Sequence, residues 1–143
     1  MLSLELDYDL SEAKPFVKKK LQHVLLKSMF KMEELAIDNA AFDQGELREK
    51  ISLFPEILAN KYILTSKAKH SEAMEYGTKP YWMPIDPLKE WARRKLGDEK
   101  AAYAIQKSIA KKGIRAQPFM RPALFGVKYY WLPLYYKQEF NTV

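Results

Sequence analysis

The chain has 143 residues, a length that suits one domain, and at 48% hydrophobic and 29% charged it carries enough apolar material for a core beneath a polar surface. No apolar run approaches the roughly 18 residues a membrane helix needs, residues 1–7 carry acids where a signal peptide wants an apolar stretch, and the absence of cysteine excludes disulfides and thiolate metal sites and fits a cytoplasm. The net charge of +6 is uneven: residues 1–60 hold 8 Lys/Arg against 11 Asp/Glu, and residues 61–143 hold 16 against 7. A basic half points to nucleic acid, to an acidic partner or to a solvated face.

Residues 2–8 alternate Leu2, Leu4 and Leu6 with Ser3, Glu5 and Asp7, which is the period of a short half-buried strand or an extended arm. From Ser11 to about Ala40, Phe16, Val17, Leu21, Val24, Leu25, Met29, Met32, Leu35 and Ala36 recur three or four residues apart, predicting one long amphipathic helix with Pro15 in its first turn. Residues 42–45 break it. Residues 47–58 alternate loosely around Ile51 and Phe54, and Pro55 allows at best an edge strand. Tyr62 to Thr65 are good strand formers, and residues 66–73 read as a loop or a second strand.

Gly77 marks a turn after Tyr76, and Pro80, Pro84 and Pro87 hold the following loop extended. Asp86 and Pro87 read as a cap and first residue of a short helix, with Leu88, Trp91, Ala92 and Leu96 inward and Gly97 as its stop. Asp98 caps a second helix ending at Gly113, with Ala101, Ala102, Ile105 and Ile109 inward and Lys107, Lys111 and Lys112 outward. Lys128 to Lys137 then reads Lys-Tyr-Tyr-Trp-Leu-Pro-Leu-Tyr-Tyr-Lys, an aromatic density that predicts a strand or hairpin.

Catalytic chemistry finds no support. His23 and His70 are the only imidazoles, no three or four ligands converge as a metal requires, Glu33-Glu34 and Asp98-Glu99 are adjacent pairs that point apart on a helix, and neither a phosphate loop nor a nucleophile elbow is present. No catalytic residue, cofactor or metal is therefore expected. Arg93, Arg94, Lys107 and Lys111 would make a basic patch that meets phosphates without reading sequence, or a solvated face. Tyr129, Tyr130, Trp131, Tyr135 and Tyr136 are candidate interface residues, because tyrosine and tryptophan are enriched at interface hot spots.

The segment Glu75-Tyr76-Gly77-Thr78, the prolines up to Pro87, Trp91 in a short helix, a Lys-rich helix and Gln117-Pro118-Phe119-Met120-Arg121-Pro122-Ala123 resemble, in order and spacing, the tail-completion or head–tail joining proteins of long-tailed bacteriophages. The resemblance covers about residues 11–125. It implies an α+β fold: a long N-terminal helix packed on a small, mostly antiparallel sheet, with two short helices, to which the residues add the aromatic C-terminal strand or hairpin. It further implies a non-enzymatic virion protein, assembled in the host cytoplasm, that forms a ring, commonly sixfold, in the neck between head connector and tail. Such a ring extends the DNA channel and presents docking surfaces to connector, adaptor, tail and tail-terminator proteins, with no membrane partner. Glu75, Tyr76, Gly77 and Thr78 would then form a strand-end turn, and Gln117, Pro118, Phe119, Arg121 and Pro122 an ordered closing segment touching that turn or a neighbour. Family members usually end in a charged helix, so residues 126–143 depart from the pattern. The expectation is a single domain of residues 1–143, with a strand or arm over 1–10, the family-like core over 11–125 and an aromatic extension over 126–143. The alternative is a small basic nucleic-acid-binding domain using the same helices.

Overall fold

The computed structural model of the chain describes residues 1–7, 9–56 and 61–141. Tyr8, Ile57 and Leu58, which belong to the strand readings above, lie outside the described residues. The fold is α+β, and the chain gathers into two compact units, one of Met1–Ser71 with Pro118–Val143, the other of Glu72–Gln117.

The first unit is built on the long helix α1 (Pro15–Asn39) and a three-stranded antiparallel sheet of β1 (Leu2–Asp7), β2 (Ile51–Glu56) and β3 (Lys61–Ser66), in the order β1-β3-β2. At about 1.5 Å per residue, α1 is about 37 Å long. It starts at Pro15, later than the periodicity suggests. Lys14 is extended, as a residue before proline prefers, and the Ser11 amide donates to the Asp9 carboxylate at 2.9 Å instead of entering a helix. Val24, Leu25, Met29, Met32 and Ala36 are buried as their spacing predicts. Phe16 is not: at 71% exposed it lies outside the core.

The leucine alternation of β1 has the expected consequence. Leu2 and Leu4 pair with Ser66 and Leu64, Ile51 and Leu53 of β2 pair with the same two residues, and this face of the sheet meets the core through buried Tyr62 and Leu64. β2 is an edge strand, as Pro55 requires. The Leu53 amide donates to the Glu33 carboxylate of α1 at 3.0 Å, and Pro55, two residues on, has no amide hydrogen. Helix and proline together blunt an edge that would otherwise invite another strand. Leu47 does not belong to this strand. It is buried in the short helix α2 (Glu46–Glu49), whose Lys50–Glu46 pair holds the Glu46 carboxyl below its ordinary range.

The aromatic tail is helical, which corrects the expected strand or hairpin. It runs as α6 (Met120–Gly126), a π-helical turn (Val127–Trp131) and α7 (Leu132–Phe140). The β preference of tyrosine and tryptophan gives way to packing along α1, because strand propensity mostly measures fit to a half-buried surface. Pro133 is the second residue of α7 and directly follows the π-helical turn, and the chain stays helical through it, the Leu132 amide donating to the Val127 carbonyl.

The second unit contains α4 (Ile85–Leu96) and α5 (Ala101–Lys112) around a cluster of Leu88, Ala92, Ala102 and Ile109, flanked by Trp91, Ile105 and Ile114. Gly97 and Gly113 end the two helices as expected, both at positive φ. Asp86 is not the cap of α4. Pro84 precedes the first turn, and Asp86 and Pro87 stand second and third within it, where a negative charge still suits the helix N-terminus. Asp98 does organise the entry to α5, its carboxylate accepting from the Lys100 amide at 2.9 Å. Leu96, expected inward, is exposed in the last turn. The end of the stretch 66–73, read as a loop or a second strand, belongs to the helix α3 (Ser71–Tyr76), which begins at the buried Ser71, the last residue of the first unit. The turn at Gly77 therefore follows a helix and not a strand.

Candidate interaction surface

Two features carry the sequence-predicted residues, one in each unit. In the second unit, the two ends of the family-like motif close on each other. The Thr78 amide donates to the Ile114 carbonyl at 2.9 Å, and the Ile114 amide donates to Thr78 Oγ1 at 2.9 Å. The Gln117 amide donates to the Met74 carbonyl at 2.7 Å. Gly77 and Gly113, both near φ +74°, make this closeness possible. A Cβ on Gly77 would stand 2.6 Å from the Ile114 carbonyl oxygen, and one on Gly113 would overlap the Thr78 carbonyl. Glu75 is buried and Tyr76 exposed. Gln106 of α5 donates through Nε2 to the Met83 carbonyl at 2.7 Å, pinning the proline-rich loop to the same helix pair. Of the closing segment, Gln117 meets the end of α3, Phe119 is fully buried, and Arg121 and Pro122 occupy the first turn of α6, where proline is well tolerated.

In the first unit, the tail lies antiparallel along α1. Leu35 approaches Gly126 at the position of its absent Cβ, Lys31 Nζ sits 4.5 Å from the Trp131 ring centroid, Lys27 Nζ 4.9 Å from that of Tyr135, and His23 Nδ1 3.1 Å from Glu139 Oε2. Lys20 donates to the Glu139 carbonyl and lies over both Phe16 and Phe140. Successive contacts on α1 are four residues apart. On the tail the first step, Gly126 to Trp131, takes five, and the next two take four. The π-helical turn absorbs the extra residue and keeps Trp131, Tyr135 and Glu139 on the α1 side.

The opposite side of the tail is open. Tyr129 and Tyr130 are 71% and 63% exposed, and Phe125 and Tyr136 are also exposed. Neighbouring rings organise this surface: Phe125 with Tyr129 at 6.3 Å, Tyr130 edge-on to Trp131 at 5.1 Å, and Tyr136 stacked on Phe140 at 4.6 Å. Beside Tyr136 and Pro133 lies an apolar groove of about 290 Å³, walled by Leu10, Leu21, Val24, Leu25 and Leu132. Of the five predicted interface residues, Tyr129, Tyr130 and Tyr136 face out, while Trp131 and Tyr135 are half-buried against α1. The sequence reading missed the lysine ladder, although Lys20, Lys27 and Lys31 share one helical face and were open to recognition from that spacing.

The residues of the predicted basic patch fall on two helices, Arg93 and Arg94 on α4 and Lys107 and Lys111 on α5. Arg93, in the last turn of α4, donates to Glu99 at 2.7 Å, and this bond holds the Glu99 carboxyl below its ordinary range. Lys107 and Lys111 are exposed on α5, whose Gln106 is bonded to Met83 just before α4 begins.

Among the described residues, no group of three or more His, Asp or Glu is arranged to hold a metal ion, and no helix is long and apolar enough to cross a membrane. Comparison of the chain with protein-family models, with curated proteins and with solved structures finds no match.

Proposed function

We propose that the chain is a structural subunit of a bacteriophage neck, a ring-forming tail-completion protein that joins the head connector to the tail and extends the DNA channel. The observation that carries this reading is the closure of the motif. Thr78 of the first family-like segment is hydrogen-bonded to Ile114, three residues before the second, and Gln117 of the second to Met74, the residue before the first, so segments some forty residues apart in sequence are held side by side, as architectural residues should be. The tail is helical, as family members usually end, but it is aromatic where theirs is charged, and in that it still departs from the pattern. Catalysis has no part in this role. The work is mechanical: one face of a subunit meets a complementary face of the next, and a heterologous contact with the right rotation closes into a ring. The partners are further copies of the chain in a sixfold ring, the connector or adaptor above, the tail or tail-terminator protein below, and packaged DNA passing without specific contact. The virion neck is its location, after assembly in the host cytoplasm.

Light scattering on the full chain, with and without duplex DNA at low and moderate salt, tests the reading. A ring-sized mass indifferent to duplex is expected. Binding of duplex by a monomer or dimer, falling steeply with salt, would replace this reading with a small basic nucleic-acid-binding domain.

A further inference from the structure

The exposed side of the tail has the chemistry of a docking site, and we infer that it receives an amphipathic helix with acidic flanks, supplied by a different protein. This goes beyond the neck reading and stands without it. Phe125, Tyr129, Pro133, Tyr136 and Phe140 follow one another at intervals of four, four, three and four residues, which places apolar groups on one helical face; the first four are exposed, and Phe140 closes the stripe half-buried under Lys20 of α1. At about 1.5 Å per residue this stripe is about 22 Å long, the reach of four turns of a partner helix. The groove beside Pro133 and Tyr136 opens along the stripe and has room for a bulky apolar side chain. A helix laid in such a groove anchors itself through residues at i, i+3, i+4 and i+7.

Charge decides between occupants. Residues 120–141 carry Arg121, Lys128 and Lys137 against one acid, Glu139, which His23 already engages. Among the described residues, Lys27, Lys128 and Lys137 have no carboxylate within ion-pair distance, and Lys128 lies over the Tyr129 ring within the stripe. A second copy meeting this face symmetrically, tail antiparallel to tail, would set Lys128 of each copy near Lys137 of the other and bring like charges together as water leaves. A helix bearing Asp and Glu beside its apolar face removes that cost and gains two-sided attraction. Large rigid aromatic rings with a cationic rim are the composition that makes interface hot spots.

The experiment is a fluorescence-anisotropy titration of the full chain against three labelled 18-residue peptides: a leucine-faced helix with Glu flanks, the same helix with Lys flanks, and a scrambled acidic sequence. The acidic helix should bind about tenfold or more tighter than the other two at low salt, with the gap narrowing as salt rises. Tyr129→Ser with Tyr136→Ser should weaken it about tenfold, and Lys128→Glu with Lys137→Glu should reverse the preference toward the Lys-flanked helix. All four side chains are surface groups, and an unchanged circular dichroism spectrum establishes that the variants fold. The reversal is a result that a merely structural role for these residues would not produce. Equal binding of all three peptides, no binding, or indifference to the tail substitutions would overturn the inference. Self-association of the chain abolished by the tyrosine substitutions would assign the face to a second copy, and tyrosine-dependent binding of a single-stranded oligonucleotide would assign it to nucleic acid; either overturns it too.

Discussion

Replacing Gly113 with alanine should be among the most damaging single changes in the second unit, for a reason visible in backbone geometry alone. Gly113 has φ 74° and ψ −168°, a region that only glycine occupies readily and that costs another residue about 1–3 kcal/mol. A Cβ there would also overlap the Thr78 carbonyl and stand 2.9 Å from the carbonyl carbon of Lys79. Relief requires residues 78–79 to move away, which strains the two hydrogen bonds between Thr78 and Ile114, each worth about 1 kcal/mol. The total is roughly 3–5 kcal/mol. Gly97→Ala is the matched control. It also ends a helix at positive φ, 70°, but a Cβ there meets nothing within 4 Å, so only the left-handed backbone cost of about 1–2 kcal/mol applies. Amide hydrogen exchange of α4 and α5 measures the local opening energy without requiring the whole chain to unfold at once. If Gly113→Ala lowers protection in α5 no more than Gly97→Ala does, the close approach of residues 77–79 and 113–116 is not what holds this unit.

Other expectations follow from single side chains. The Ser66 hydroxyl is buried without a hydrogen-bond partner among the described residues, so Ser66→Ala should leave stability unchanged or raise it by about 1 kcal/mol in urea unfolding. A loss would mean that the hydroxyl is bonded. Met32, with no exposed surface at the centre of α1, should cost about 2–5 kcal/mol as alanine, read by the same titration. The Glu99 carboxyl is held low by Arg93, so the pair stabilises the folded form above the ordinary glutamate range and loses that contribution as pH falls through the folded value. In a carboxyl-carbon NMR titration, Arg93→Ala should move the Glu99 midpoint upward, and an unmoved midpoint would refute the pairing. Tyr62 is buried, which pushes its phenol up. Its contribution is present below the ordinary tyrosine range and lost as pH rises through the folded value. In an ultraviolet titration, Tyr62→Phe should remove ionisation from above the ordinary tyrosine range, and an unchanged curve there would refute the effect of burial.

Much of the fold is legible wherever one physical rule acts alone. The buried stripe of α1 follows from three-and-four spacing, β1 from two-residue alternation, the edge position of β2 from Pro55, and the ends of α4 and α5 from glycines. Legibility fails where tertiary packing outweighs local preference. Tyr129 to Tyr136 have the composition of a strand, but Lys27, Lys31 and Leu35 of α1 supply a surface on which a helix fits better. Leu96 has the right spacing for the α4 core yet lies in the last turn of the helix, one turn past Ala92, its last buried residue. α2 and α3 are too short and too polar to show a period. The candidate surface was half legible: the aromatics stood out by density, but which of them face away depends on one π-helical turn that composition does not encode.

That turn also bears on how the chain can change over evolutionary time. Gly126 and Trp131 fix its two ends against α1, while Tyr129 and Tyr130 between them are exposed. Loss of one residue in this interval would turn the π-helical turn into an ordinary α-helical one and swing the outward rings around the axis, yet Tyr135 and Glu139 beyond it would keep their places over Lys27 and His23. The same length change after Trp131 would unseat them. The tail thus separates a seat fixed against α1 from an outer rim that a change of length can re-aim without refolding the rest.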